Sequence, residues 1–203
     1  GMLASTEGIK VPQREYRQFV EENQVQHSNA KHSNVKGRTS YLVGPLARVN
    51  INLDQLSPDA RRAAKSVGLN VPNYSPFKSP IARAVEVVHC IDECAEILET
   101  MPYSEEPSLI KLRAGDGYAI TEAPRGINYH HYSLNRGGIV TKADIAPPTC
   151  QNYRNMEMDL IELVPTILDL QDDEIAHRCQ MLIRAYDPCI SCSVHSIKIH
   201  KVK

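Results

Sequence analysis

The chain has 203 residues, enough for one sizeable domain with its own core. Its 23 basic residues nearly balance 24 acidic ones, which speaks against a nucleic-acid footprint or a membrane-surface patch. No stretch reaches the unbroken apolar length of a membrane span, and residues 1–7 lack the basic-then-apolar pattern of a secretory signal. Six cysteines, at 90, 94, 150, 179, 189 and 192, fit reduced thiols in a cytoplasmic setting better than the disulfide framework of a small exported protein.

Gly1, ahead of Met2, reads as a residue left by a cleaved tag. Residues 1–40 read as a polar N-terminal arm, with a short helix around Pro12–Val20 and then an extended stretch lying across another surface. Within it His27 and His32 read as solvated loop residues, because no cysteine or carboxylate accompanies them at ligand spacing. Ser57-Pro58-Asp59 supplies an N-cap, a proline at the first helical position and an acid in the first turn, and Gly68 supplies a stop. A helix over about 58–67 follows. Ser79-Pro80 opens a longer one, with Ile81, Ala84, Val85, Val88, Ile91, Ala95 and Leu98 recurring every three or four residues to about Thr100. Cys90 and Cys94 on this helix read as buried structural cysteines, since a free thiol commonly packs as a small apolar group.

Residues 118–122, 127–134 and 139–145 read as strands, the last two joined by an Asn135-Arg136-Gly137-Gly138 turn. Helices follow over about 152–163 and from Asp172-Asp173, the second carrying Ile175, Cys179, Leu182 and Ile183 inward and ending at Asp187-Pro188. The expected fold is mainly α with a small antiparallel β-hairpin, an α+β class. It is read as one domain over 1–203, with a helical core at 41–195, a hairpin near 117–146 and a basic tail at 196–203.

The most informative run is Asp187-Pro188-Cys189-Ile190-Ser191-Cys192-Ser193-Val194-His195. Two cysteines three apart, pinned by a proline and followed by a histidine, form a clamp for a soft metal, which binds sulfur only as thiolate. Cys189-x-x-Cys192 is open to three chemistries. A thioredoxin-like pair would start a helix after a strand, whereas this one follows a helix. A structural zinc site would need a second Cys/His pair, and none stands out. A split site completed by another part of a larger polypeptide, or by another chain, fits best.

The run also resembles the C-terminal Asp-Pro-Cys-x-x-Cys-x-x-His motif of [NiFe]-hydrogenase large subunits. Two further stretches carry the likeness, in the family's order. Glu122-Ala123-Pro124-Arg125-Gly126, followed by His130-His131-Tyr132, is similar to one family segment. Val43-Gly44-Pro45-Leu46-Ala47-Arg48-Val49-Asn50 is similar to another, and both point to the cytoplasmic NAD(P)-linked and methanogen-type branch. The resemblance implies the C-terminal part of that large-subunit fold. It matches Cys189 to the terminal nickel ligand and Cys192 to a thiolate bridging nickel and iron. Arg125, next to Pro124, matches the arginine over the open metal face beside a cyanide on iron, with Asp187 similar to its acidic partner. Pro148-Thr149 matches the donor to the second cyanide, and His195 the ligand of a magnesium or similar ion. Taken singly, Arg125 also fits a surface turn, Asp187-Pro188 a plain helix stop and His195 a tail residue.

The family's other two cysteines, in an Arg-x-Cys-Gly-x-Cys motif, do not occur in this sequence, and Cys90 and Cys94 have the wrong spacing. The resemblance therefore implies a C-terminal segment that supplies half the thiolates of a nickel–iron centre with cyanide and carbon monoxide ligands. Alone it would hold no such centre and have no activity. Implied partners are the N-terminal half of the large subunit, an iron–sulfur small subunit, a maturation protease and nickel-insertion factors, with a homodimer as a further option. The competing functions are a non-catalytic scaffold derived from the hydrogenase fold and a simple metal-binding or thiol-redox protein.

Overall fold

The computed structural model describes residues 1–102, 111–189 and 199–200. Two short strands, β1 (Met2–Ala4) and β2 (Lys10–Pro12), pair antiparallel, and the single-turn helix α1 (Tyr16–Phe19) follows. Strands β3 (Val20–Gln24) and β4 (Lys31–Val35) form a second hairpin. Then come α2 (Pro45–Asn52), α3 (Pro58–Ser66) and α4 (Ser79–Thr100). Strands β5 (Gly115–Ala123), β6 (Gly126–Leu134) and β7 (Val140–Ala146) make a three-stranded antiparallel sheet in that order. Helices α5 (Pro148–Leu163) and α6 (Asp172–Ala185) complete the described fold.

The expected α+β class stands, with three small antiparallel sheets where the sequence suggested one hairpin. Ser57 caps α3 by accepting from the Ala60 backbone N–H, so the Ser-Pro-Asp signal marks a real helix start. The β6–β7 turn is where the glycines place it: Gly138 has a φ of 76° and donates to the Asn135 carbonyl at 3.0 Å. Helix α5 begins one turn before the expected Asn152, with Pro148 in its first turn.

The N-terminal arm differs from expectation. Its second half is a hairpin rather than an extended strap, and β4 lies against α5. Val20, His32 and Ser33 are buried in it. The polar composition hides this because most of β3 faces solvent, while the buried positions of β4 are a histidine and a serine. Tyr16 anchors the arm from the other side. Its ring stacks on Tyr129 of β6 with centroids 4.3 Å apart, and the Arg17 guanidinium lies over both rings. Arg17 also bonds Asp144 of β7 and Glu22 of β3, so one cation links the helix, the hairpin and the sheet.

Cys90 and Cys94 are exposed, not buried. Helices α2 and α3 cover only the first half of α4, where Ser79, Ala82 and Val85 are buried, and the rest projects beyond them. The regular apolar spacing continues past that support, leaving Ile91 and Leu98 exposed. No helix among the described residues is long and apolar enough to cross a membrane.

Hydrogen bonds from Arg17 hold the Asp144 carboxyl below its usual range, against partial burial. A depressed folded value means a stability contribution that is complete above the unfolded value of about 3.9 and is lost as pH falls through the folded one. Urea unfolding of Asp144→Asn should therefore show a deficit of about 1–3 kcal/mol near neutrality that shrinks toward zero in strong acid.

Candidate metal-centre corner

Strands β5 and β6 are joined by a two-residue turn, with Ala123 paired to Gly126 and Pro124-Arg125 at its tip. Proline fits the first turn position, where φ is preset. Gly126 takes a φ of 137°, and a Cβ built on it would lie 2.5 Å from Val43 Cγ2 and 3.0 Å from the Gly44 nitrogen. Gly44, with a φ of 115°, would put a Cβ 2.7 Å from the Arg125 carbonyl oxygen. Two glycines on two segments thus let the backbones touch where no side chain fits. The two stretches that carry the family likeness meet at this contact.

Arg48 locks it. Its guanidinium grips Glu86 of α4 with both carboxylate oxygens, at 2.6 and 2.7 Å, and bonds Glu122 at 2.7 Å. It also donates to the carbonyls of Ala123, at 2.9 Å, and Pro124, at 3.0 Å. The planar fork fills five acceptors around one turn, which a lysine could not do. From the opposite side the first turns of α5 supply buried amides. Asn152 pairs with both backbone groups of Val43, and Gln151 donates to the carbonyls of Ile127 and Ala146. Buried amides this well satisfied fix position.

Arg125, held at the tip, reaches the end of α6. Its Nε donates to the Asp187 carbonyl at 2.6 Å, and its Nη2 lies 3.5 Å from Asp187 Oδ1. The pair expected from the sequence is present, with the backbone oxygen as the shorter contact. Asp187 has a φ of 52° and donates its N–H to the Arg184 carbonyl, a left-handed helix end of the kind glycine usually supplies. Pro188 then sets the exit direction, and half-buried Cys189 follows directly. Cys192 and His195 lie outside the described residues. Pro148 and Thr149 occupy the first turn of α5, both partly buried, just ahead of Gln151 and Asn152.

Sequence reasoning missed Arg83. From α4, one turn before Glu86, it brings Nη2 to 3.8 Å from Asp187 Oδ2, so the carboxylate sits between two guanidinium groups. The available signal was the spacing of 83 and 86, which places both on one helix face. The sequence pointed to the Gly-Pro-Leu-Ala-Arg stretch without giving Arg48 its task. His131 and Tyr132, singled out with Arg125, lie along β6. His131 bonds Asp116 at 2.9 Å and stacks on Tyr118, tying strands together.

The family model for nickel-dependent hydrogenases matches residues 5–195. The chain belongs to the nickel-dependent hydrogenase family. It is 32% identical over 201 residues to the sulfhydrogenase 1 alpha subunit of Pyrococcus furiosus, covering 97% of this chain and 46% of that one. It is 27% identical to the beta subunit of the NAD-reducing hydrogenase HoxS of Cupriavidus necator, covering 78% of this chain and 34% of that one. Its fold matches a crystal structure of an NAD+-reducing [NiFe]-hydrogenase in the H2-reduced state with a TM-score of 0.72 at 23% identity, over 96% of this chain and 46% of that one. The chain spans less than half the length of these relatives.

The donor chemistry suits a soft metal in such a hydrogenase. Cys189, half-buried, follows directly on the Asp187-Pro188 corner, and a cysteine sulfur is a donor that soft metals accept as thiolate. Cys150 is the opposite case. Buried in α5 and bonded to the Pro147 carbonyl, its thiol is pushed up to about 12 by burial and stays protonated.

Arg48→Ala should cost about 2–4 kcal/mol, because Glu86 and two carbonyls lose a charged donor in a largely covered place. Gly126→Ala should cost a similar amount, about 2–4 kcal/mol, through strain at positive φ and collision with Val43. Urea midpoints of the two variants against the parent check both.

Proposed function

We propose that the chain is the C-terminal part of a hydrogenase large subunit and supplies Cys189 and Cys192 as two of the four thiolates of a nickel–iron centre. The observation that supports this most is the bond from Arg125, at the tip of the β5–β6 turn, to Asp187, two residues before Cys189. The nickel–iron pair with its cyanide and carbon monoxide ligands, when bound, supplies heterolytic cleavage of hydrogen into protons and electrons. The remaining work falls to the protein.

Arg125 is held from behind by the Arg48 bonds to its turn, so its guanidinium is oriented before any ligand arrives. Its guanidinium would orient hydrogen or help take its proton, beside a cyanide on iron. Asp187 holds Arg125 in that attitude through its carbonyl and its carboxylate. The Pro148-Thr149 segment, in the first turn of α5, would supply a backbone or hydroxyl donor to the second cyanide. His195 would bind a magnesium or similar ion. Two thiolates cannot by themselves fix a two-metal centre, so catalysis needs the N-terminal half carrying the other two cysteines, and electron exit needs an iron–sulfur small subunit. A maturation protease and nickel-insertion factors would act on the same end of the chain, and the implied location is the cytoplasm.

The chain purified alone should contain no nickel–iron centre and consume no hydrogen. Co-produced with a polypeptide bearing the Arg-x-Cys-Gly-x-Cys segment and with the maturation factors, it should acquire nickel and hydrogen-oxidising activity. In that assembly Cys189→Ser should abolish nickel content. Arg125→Lys should keep the metal but lower hydrogen oxidation by roughly 10²-fold, since a fixed fork of donors becomes a mobile point charge. Full nickel loading of the Cys189→Ser assembly, by elemental analysis, would refute the ligand assignment.

A further inference from the structure

His27, in the turn of the β3–β4 hairpin, His32 on β4 and Glu157 on α5 bring two imidazoles and a carboxylate together, their ligating atoms all within 4.8 Å of one another. His27 Nε2 lies 2.5 Å from Glu157 Oε1, and His32 Nδ1 lies 3.3 Å from Glu157 Oε2. His32 is only 5% exposed, yet its Nδ1 has no hydrogen-bond partner. A buried ring nitrogen that approaches a carboxylate at ion-pair distance without a well-aligned hydrogen bond is a costly arrangement for a purely structural contact. The same nitrogen is a ready lone pair for a cation.

We propose that His27, His32 and Glu157 form a binding site for a divalent transition-metal cation of the zinc class, separate from the thiolate corner. Two neutral imidazoles and one carboxylate are the nitrogen and oxygen donors such a cation prefers, and three protein ligands leave one position for water. Tetrahedral ligands at ordinary zinc distances stand roughly 3.4 Å apart, so the His27–Glu157 contact must open by about an ångström. His27 can provide that movement because it sits exposed in a hairpin turn. Burial lowers the His32 pKa below its usual value, which keeps the ring neutral and able to coordinate. Stacking on Tyr153, with centroids 5.4 Å apart, fixes its plane. The opposing group is Arg154, whose Nη1 is 3.3 Å from Glu157 Oε2; its side chain is partly exposed and can turn away.

Bound there, the ion would fasten the N-terminal hairpin to α5, the helix whose first turns hold Val43 and Ile127. Its effect is therefore legible as stability as well as occupancy.

The test uses the full chain with Cys90, Cys94, Cys189 and Cys192 changed to serine, so that zinc cannot bind at the exposed thiols or the thiolate motif. Equilibrium dialysis should show one zinc per chain, and magnesium should not displace it. His27→Ala and Glu157→Gln should each weaken zinc binding by roughly tenfold or more and abolish the zinc-dependent rise in unfolding temperature. Arg154→Ala should bind zinc at least as tightly as its parent. Undiminished binding in both His27→Ala and Glu157→Gln, or no stoichiometric zinc at all, would overturn the proposal. Should the serine variants not fold, crystals of the unaltered chain grown with zinc decide. Anomalous density between the two imidazoles and Glu157 supports the site, and its absence there overturns it.

Discussion

The structure depends on one close approach, the contact of the Val43-Gly44 backbone with the Arg125-Gly126 backbone. Everything near it is arranged to hold two uncharged main chains closer than side chains permit. Glycine removes the obstacle, and the remaining work is done by polar groups that would be expensive to bury without partners. Arg48 reaches across the turn from α2, while Asn152 and Gln151 reach in from α5. Because α4 contributes Glu86 to Arg48 and Arg83 to the neighbourhood of Asp187, the same helix serves both the clamp and the corner it supports. Geometry at Arg125 is thus set by residues from several elements, far apart in sequence.

Much of this was legible. The Ser57-Pro58-Asp59 cap, the Ser79-Pro80 start and the Asn135–Gly138 turn act through bonds between near neighbours, so a local pattern suffices to find them. The likeness of the Gly-Pro-Leu-Ala-Arg and Glu-Ala-Pro-Arg-Gly stretches pointed to the corner, and family membership follows from the match over residues 5–195. What the stretches do to each other was not legible, because a contact between residues 44 and 126 has no periodicity. The same holds for Arg83, whose partner lies more than a hundred residues away.

Two misreadings share one cause. His32 looked solvated because it sits among polar residues, and the end of α4 looked buried because its residues are apolar; in both, burial is decided by what packs alongside. Helix α5 covers β4 and so buries His32 and Ser33. Nothing among the described residues covers the last turns of α4, where Leu98 is 80% exposed. Composition describes what a surface would prefer, and topology decides whether a neighbour is there to provide it. An apolar surface of this kind, on a chain spanning less than half of its relatives' length, suits contact with further protein.

The thiol of Cys150 has a consequence for how sulfur is distributed over the molecule. With its proton held to about pH 12, releasing it at neutrality would require about 7 kcal/mol before any bond to a metal could form. At neutrality it therefore stays a protonated thiol, a poorer nucleophile and ligand than an exposed thiolate. Sulfur inside α5 is thereby kept apart from the thiolate chemistry open to a less covered cysteine.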